Sequence, residues 1–314
     1  MKSVRTGWLL AVAALAAALA APMFVGPYGH YVLAIILIYS LVALSLNIVT
    51  GVGGQISIGH AGFWAIGAYT SAILVTKVGL PFLAAVALGG AVAAVFGLIV
   101  ALPALRVQGH YLAIATLGLA LVVQQVLYEW TSLTGGRGGM FVPRPEILGY
   151  EFLDDRPYYY VILAITVFFT WVTVNYRKSL TGLGFGALRM SSIAAQSSGV
   201  GRTYHIVTAF VLSAFMTGVS GALYGHLIGQ LSTDSFTLTV SLSFLTMVVV
   251  GGLNSVAGAL LGGLFLAYAP ELMRELKSAQ MIVYGGTLIL FMHFLPGGLA
   301  SIPERIRGFV RARR

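Results

Sequence analysis

Polar side chains that could accompany a charged solute are concentrated in one glycine-rich stretch, GVGGQISIGHAGFWAIGAYTSAIL, at residues 51–74. Glycine permits unwound backbone, and the free backbone groups at broken helix ends can solvate charge inside a membrane protein. The same glycines would also allow close packing between helices. The stretch therefore predicts either a solute pathway or a tight helix contact. Its candidate pathway residues are Gln55, Ser57, Gly59, His60, Gly62 and Tyr69.

A weak internal repeat extends this candidate pathway. The pattern Gly-Gly-x-x-Ser at residues 53–57 recurs at residues 251–255. Both copies are expected to precede a membrane span from the same side, which adds Asn254 and Ser255 to the pathway candidates. Chance similarity between two glycine-rich segments is the competing explanation. His60 alone is interpreted as a satisfied polar residue rather than as part of a proton relay.

The residues Gly218-Val219-Ser220-Gly221 have the form of the nucleophile site of intramembrane serine proteases. Such a serine needs a histidine base within hydrogen-bond reach. His226 lies nearly two turns along the same predicted helix, and His293 lacks the expected flanking glycines, so we predict that the chain is not an enzyme. Glycines at 218, 221, 225 and 229 instead predict a groove for a neighbouring helix. The absence of cysteine excludes thiol catalysis and thiolate metal sites, and no metal site is predicted.

These residues must be positioned by membrane-spanning helices. The chain has 314 residues, of which 58% are hydrophobic and 9% charged, whereas about a quarter of the residues in a soluble domain are charged. We predict an all-α, polytopic transmembrane helical bundle formed by residues 1–314 as a single membrane domain. The third and eighth apolar segments could be broken or re-entrant, so eight to ten spans are expected. The ten segments are 7–25, 30–50, 57–76, 81–103, 109–130, 157–176, 204–228, 236–252, 255–273 and 280–296.

The net charge of +9 is interpreted as an orientation signal. With ten spans and the N-terminus inside, 12 of the 18 Lys and Arg residues face inward with Glu304 as the only acid. Basic residues favour the cytoplasmic side, so both termini, including a basic tail at 297–314, are expected in the cytoplasm of a bacterium, with the spans in its inner membrane. The first segment resembles a signal peptide but is predicted to be a retained span. Nucleic-acid binding would need a folded basic domain, which no segment offers.

Two polar loops are longer than a turn requires. The outer, periplasmic loop at 131–156 contains the candidate docking residues Thr134, Gly135, Gly136 and Arg137 for an external protein, although a plain flexible loop is an alternative. A phosphate cradle is disfavoured, because no Lys-Ser/Thr pair follows the glycines and no strand precedes them. The inner loop at 177–203 predicts a short helix at Ser191–Ser198. Ser191 or Ser192 would cap this helix, and Gly199 would end it in a left-handed conformation.

The inner loop carries a family resemblance. Its residues 189–199, RMSSIAAQSSG, are similar to the cytoplasmic loop of ABC importer permeases, above all the branched-chain amino-acid permeases of the LivM type. Segments at 51–74, 109–117, 133–139, 210–224, 247–252 and 296–299 resemble that family in the same order, over roughly residues 30–300. The loop departs from the family pattern at Met190, Ser191 and Ser192, where charged residues are usual. The residues implied to couple to an ATPase are Arg189, Ser192, Ile193, Ala194, Ala195, Gln196, Ser198 and Gly199.

The resemblance implies a permease that works with a second homologous permease subunit, two cytoplasmic ATPases, an external substrate-binding protein and membrane lipid. ATP and Mg would be held by the partner subunits, and no cofactor is expected in this chain, which contains no Gly-Lys pair. Few ionisable residues lie within the spans, which favours an external energy source. The implied substrates are branched-chain or related amino acids. The alternatives are urea, short amides or aromatic acids, or a secondary carrier or channel.

Overall fold

A computed structural model describes residues 2–107, 109–147, 149–152, 154–272, 285–286, 289 and 297–301. The described chain is dominated by helices joined by short turns, with four two-residue strands on one face. Most of the tenth predicted span and most of the predicted basic tail lie outside the described residues. The helices are α1 (Lys2–Ala20), α2 (Pro27–Leu46), α3 (His60–Ile73), α4 (Phe82–Arg106), α5 (His110–Glu129), α6 (Thr131–Thr134), α7 (Asp155–Lys178), α8 (Leu180–Met190), α9 (Ser192–Ser197), α10 (Arg202–Ile228), α11 (Leu238–Gly251) and α12 (Val256–Leu272).

Six of the described helices are long and apolar enough to cross a bilayer. The first nine predicted segments each fall on one helix, which confirms the polytopic helical bundle. Two of the six are extended by π-helical turns, at Asn47–Val52 after α2 and Leu74–Val78 after α3. Helix α11 has only 14 residues. At 1.5 Å per residue it spans about 21 Å, which is short of a hydrocarbon core of about 30 Å.

Hydrogen bonds between residues near helix ends show which ends lie on the same face of the bundle. One face joins the end of α2 to the start of α12 through Asn47 and Ser255. The opposite face joins α1 to α7 through Ala18 and Tyr159. Five of the basic residues on the first face are Arg106, Arg177, Lys178, Arg189 and Arg202. No acidic residue among those described lies on that face, which we call the basic face.

Helix α10 is the central element, and its glycines explain how it fits there. A Cβ on Gly67 of α3 would overlap the backbone of Gly218, and a Cβ on Gly221 would overlap the carbonyl of Trp64. A Cβ on Gly218 would lie only 2.5 Å from the Cβ of Ala93 in α4. The predicted glycine groove therefore receives α3 and α4 of the same chain.

The loop at 131–156 has local structure. Strand β1 (Met140–Phe141) pairs antiparallel with β4 (Gln230–Leu231), which follows α10, and β2 (Glu146–Ile147) pairs with β3 (Tyr150–Glu151). An ion pair between Arg144 and Asp155 fixes the loop to the start of α7. The loop is thus fastened to the ends of two membrane helices.

Candidate functional site

The helical chain is interrupted between α2 and α3. Gly54 adopts a left-handed conformation with φ of 66°, and the Gln55 N–H donates to the carbonyl of Val49 at 3.1 Å. Residues 55–59 have no helical or strand structure. Within the membrane, irregular backbone is tolerated where protein covers it or where it lines a cavity. Both conditions hold here, because Gly59 is covered by the backbone of Thr116 while Gln55 lines a small cavity.

A buried hydrogen-bond network begins at this interruption. His60 lies at the first position of α3, with Nδ1 3.0 Å from the Ser57 hydroxyl and Nε2 2.9 Å from the Ser213 hydroxyl on α10. The Ser213 hydroxyl donates a hydrogen bond to the carbonyl of Ser45 on α2, at 2.8 Å. Its oxygen therefore accepts from the Nε2–H of His60, and Nδ1 accepts from Ser57. His60 joins three elements as a satisfied polar residue.

The other candidate pathway residues of this stretch lie apart from the network. Gly62 packs closely against Ala120 of α5. Tyr69 is buried beside the ring of Phe236 at the opposite end of α3, and its hydroxyl has no hydrogen-bond partner among the described residues. Gly62 is thus a packing position, whereas Tyr69 leaves a polar atom inside an aromatic cluster.

A second interruption separates α11 from α12, at the second copy of the Gly-Gly-x-x-Ser pattern. Gly252 and Asn254 have φ values of 119° and 61°, and the Ser255 hydroxyl accepts from the N–H of Gly258 in the first turn of α12 at 3.0 Å. Asn254 is the only described non-glycine residue with positive φ, a conformation that asparagine tolerates better than most residues. Glycine and serine therefore occupy comparable positions in both interruptions.

Asn47 connects the two interruptions, and sequence reasoning missed it. Its Nδ2 donates to the carbonyl of Ser255 at 2.8 Å, and its Oδ1 accepts from the N–H of Asn254 at 3.0 Å. Arg177, at the end of α7, also donates to the Asn254 carbonyl, at 2.6 Å. The one available signal was a lone asparagine in an apolar helix, because a buried amide there requires partners.

The inner loop forms two helices. The predicted short helix is confirmed as α9, with Ser191 as its N-cap accepting from the N–H of Ala194 at 3.3 Å. Gly199 follows with φ of 85°, which confirms the left-handed ending. Helix α8 precedes α9 and was not predicted. Its N-cap Ser179 accepts from the N–H of Gly182 at 3.2 Å.

Helix α8 contacts the first interruption directly. The buried ring of Phe185 occupies the space that a Cβ on Gly53 would fill. The Arg189 guanidinium donates to the carbonyl of Gly51, and its aliphatic stem lies against Gly54. The predicted coupling residue Arg189 therefore points toward the candidate pathway.

The remaining predicted coupling residues differ in exposure. Ile193 is 84% exposed, and Met190 beside it is 89% exposed. Ala194, Ser198 and Gly199 are also exposed, whereas Ala195 is buried. Gln196 donates to the carbonyl and the hydroxyl of Ser192 on its own helix. An exposed apolar surface at the junction of α8 and α9 is therefore formed by Met190 and Ile193.

On the opposite face, the four predicted docking residues also divide into two groups. Thr134 is buried and donates to the carbonyls of Leu127 and Trp130 at 2.7 and 2.9 Å. Gly136 is buried as well, whereas Gly135 and Arg137 are exposed. The Arg137 guanidinium carbon lies 5.6 Å from the centre of the Tyr128 ring. Arg137 is the charged group that this cluster presents.

Ser220 is not placed for nucleophilic catalysis in the described structure. Its hydroxyl is fully buried and donates to the carbonyl of Ile38 at 2.9 Å. The imidazole of His226 is instead shared between the Ser71 hydroxyl and the carbonyl of Pro143, each at 3.0 Å. The alternative base His293 lies outside the described residues. Ser220 and His226 thus stabilise separate helix contacts.

Comparison with known proteins identifies a family for this chain. Residues 28–292 match the family described as "Branched-chain amino acid transport system / permease component". The chain belongs to this permease family. It is 34% identical over 315 aligned positions to the high-affinity branched-chain amino acid transport system permease protein LivM of Salmonella typhimurium and to that of Escherichia coli, covering 93% of this chain and 74% of each relative. It is 25% identical to the permease protein LivH of Escherichia coli, covering 85% of this chain and 92% of the relative. No solved structure matches.

The family match covers the parts that the geometry brings together. The matched residues 28–292 of this permease include both interruptions, Asn47, α8 and α9. Two different permeases of Escherichia coli, LivM and LivH, resemble the chain over most of its length. The membrane bundle is therefore that of a transport permease.

Proposed function

We propose that this chain is the LivM-type permease subunit of an ABC importer for branched-chain amino acids. It would pair with a second homologous permease and would work with two cytoplasmic ATPases and an external binding protein. ATP and Mg would be bound by the ATPases. The names of the relatives, permease proteins of branched-chain amino acid transport systems, support this substrate class over urea, short amides or aromatic acids.

The observation that carries the proposal is the exposed apolar surface of Met190 and Ile193 next to a capped helix. Two large apolar side chains that are 89% and 84% exposed favour a site that another protein covers. An ATPase cleft would receive α9 there. Since this loop has few charges, the contact would depend on shape and apolar burial.

The same loop offers a mechanical route into the membrane. Movement of α9 would displace α8, because only Ser191 separates them. Phe185 and Arg189 would transmit this displacement to residues 51–54, and Asn47 would carry it to the second interruption. Such switching resembles rigid-body motion between two states of access. Backbone groups freed at the interruptions would solvate the two charges of an amino acid.

The charge distribution supports the orientation. The basic face would be cytoplasmic, because Lys and Arg favour that side of a membrane. Helix α1 ends on the opposite face, so its N-terminus would be cytoplasmic as well. The bacterial inner membrane is the compartment in which such an importer would meet ATP on one side and an external binding protein on the other.

Co-purification tests this assignment. In the assembly expressed with its ATPases, Ile193→Asp should abolish or strongly reduce recovery of the ATPases, because it places a charge in an apolar contact. Phe141→Asp is the matched control, since Phe141 is 75% exposed on the opposite face. Full ATPase recovery with Ile193→Asp would contradict coupling through α9.

Reconstitution separates an importer subunit from a secondary carrier. The purified chain alone in liposomes should take up no leucine with or without an ion gradient. The complete assembly with ATP and binding protein should take up leucine but not urea. Gradient-driven uptake by the chain alone would overturn the proposal.

A further inference from the structure

A cavity of about 930 Å³ opens on the basic face, where the end of α7, the helix α8 and the start of α12 meet. Three of its lining residues are basic, namely Arg177, Lys178 and Arg189. Its described lining contains no acidic residue. The cavity is therefore a concentrated positive site at the end of a membrane-spanning helix.

No carboxylate neutralises these charges among the described residues. Among the described residues there is one ion pair, Arg144 with Asp155, and it lies on the opposite face. Arg177 donates to the carbonyl and side-chain oxygens of Asn254, and Arg189 donates to a backbone carbonyl. These partners are neutral dipoles. Three like charges around one cavity repel each other, and an anion placed between them would relieve that repulsion.

Most of the remaining lining is apolar or glycine, and Asn254 and Ser255 are its two uncharged polar members. Val52, Val174, Leu183, Met190 and Val256 contribute side chains to the same cavity. The positive end of the α12 dipole also points to this region. A ligand that fits must combine an anionic head with an apolar body. Arginine and lysine are suited to phosphate oxygens.

We propose that this cavity binds the phosphate headgroup of an anionic phospholipid from the leaflet at the basic face. Arg177, Lys178 and Arg189 contact the phosphate, and the apolar residues contact the glycerol and the first acyl carbons. The bound lipid neutralises the charge next to the Arg177–Asn254 and Arg189–Gly51 hydrogen bonds. The lipid site shares Arg189 and Met190 with the proposed coupling surface, but its test needs neither substrate nor ATPase.

Native mass spectrometry of the purified full-length chain tests the site. Phosphatidylglycerol is titrated onto delipidated protein, with phosphatidylcholine as the zwitterionic reference. Lys178→Gln should weaken phosphatidylglycerol binding about fivefold, as expected for one basic residue near an anionic lipid surface. Arg106→Gln is the matched control, because Arg106 is exposed on the same face but does not line the cavity. It should leave the affinity unchanged.

Equal affinity of the Lys178→Gln and Arg106→Gln variants for phosphatidylglycerol would overturn the proposal. Displacement of the lipid by millimolar glycerol phosphate would also overturn it, because a soluble phosphate would then be the ligand. Thermal unfolding of each variant without lipid checks the fold. Lys178 is exposed, so its substitution should leave the midpoint unchanged.

Discussion

The Arg189 guanidinium donates a hydrogen bond to the backbone carbonyl of Gly51 and thereby joins the inner loop to the interrupted end of α2. The two residues are 138 positions apart in the chain. A charged donor that reaches the last carbonyls of a helix also complements the negative end of its dipole. This contact is therefore a direct connection between the proposed coupling surface and the proposed pathway.

Replacing Arg189 by alanine should uncouple the two regions. We expect ATP-driven uptake by the assembly to fall roughly tenfold, because a hydrogen bond to a charged group contributes about 1.5–3 kcal/mol. ATPase recovery should be unchanged, since Met190 and Ile193 remain exposed. Uptake into proteoliposomes and co-purification are measured on the same preparation. Arg106→Ala provides the control, and equal uptake by both variants would rule out the connection.

Several features of this region follow from local sequence. The cap Ser191 and the left-handed Gly199 delimit α9 because both act within one turn of the chain. The spacing of Gly218 and Gly221 indicates a groove because helix geometry places them on one side. The partner of that groove could not be predicted, because the fit of Gly67 and Ala93 against it depends on how three helices are arranged.

Contacts between distant segments could not be predicted from the sequence. His60 and Ser213 are 153 positions apart, and no local pattern marks Ser213 as the partner. Helix α8 was missed because its three glycines lower helix propensity. Gly182 and Gly184 are retained there because a Cβ would collide with the Tyr176 carbonyl and the His205 ring. Tertiary packing therefore stabilises helix α8, which the helix propensity of its residues alone disfavours.

His60→Ala should destabilise the bundle. The substitution removes the His60 partner of the buried Ser57 hydroxyl, while Ser213 keeps its bond to the Ser45 carbonyl. A buried polar group left unsatisfied costs about 1–3 kcal/mol. We expect a lower midpoint of thermal unfolding in detergent. His110→Ala is the matched control, since His110 occupies the same first helical position of α5 but is exposed. Equal midpoints would contradict a structural role for the His60 network.

Gly218→Ala should weaken the contact of α10 with α4. The added methyl group would lie 2.5 Å from the Ala93 Cβ and 3.0 Å from the Gly89 carbonyl oxygen, and such overpacking costs about 1–3 kcal/mol. The same substitution at Gly118 of α5 meets no atom within 4 Å. Thermal unfolding should therefore separate the two variants, with Gly118→Ala close to the unchanged protein. A midpoint for Gly218→Ala as high as that of Gly118→Ala would show that the groove has room to relax.

Arg137→Glu should weaken docking of the external binding protein. Arg137 is exposed beside Tyr128 at the end of α5, and an acidic side chain there reverses the charge offered to a partner. Loss of one charge pair at an interface rim acts mainly on the association rate. We therefore expect a slower association rate of the binding protein with the immobilised assembly, with a weaker effect at high salt. Arg156→Glu, an equal charge reversal at an exposed position on the same face, should change the rate less. If both variants slow association equally, general surface charge rather than the 134–137 cluster guides docking.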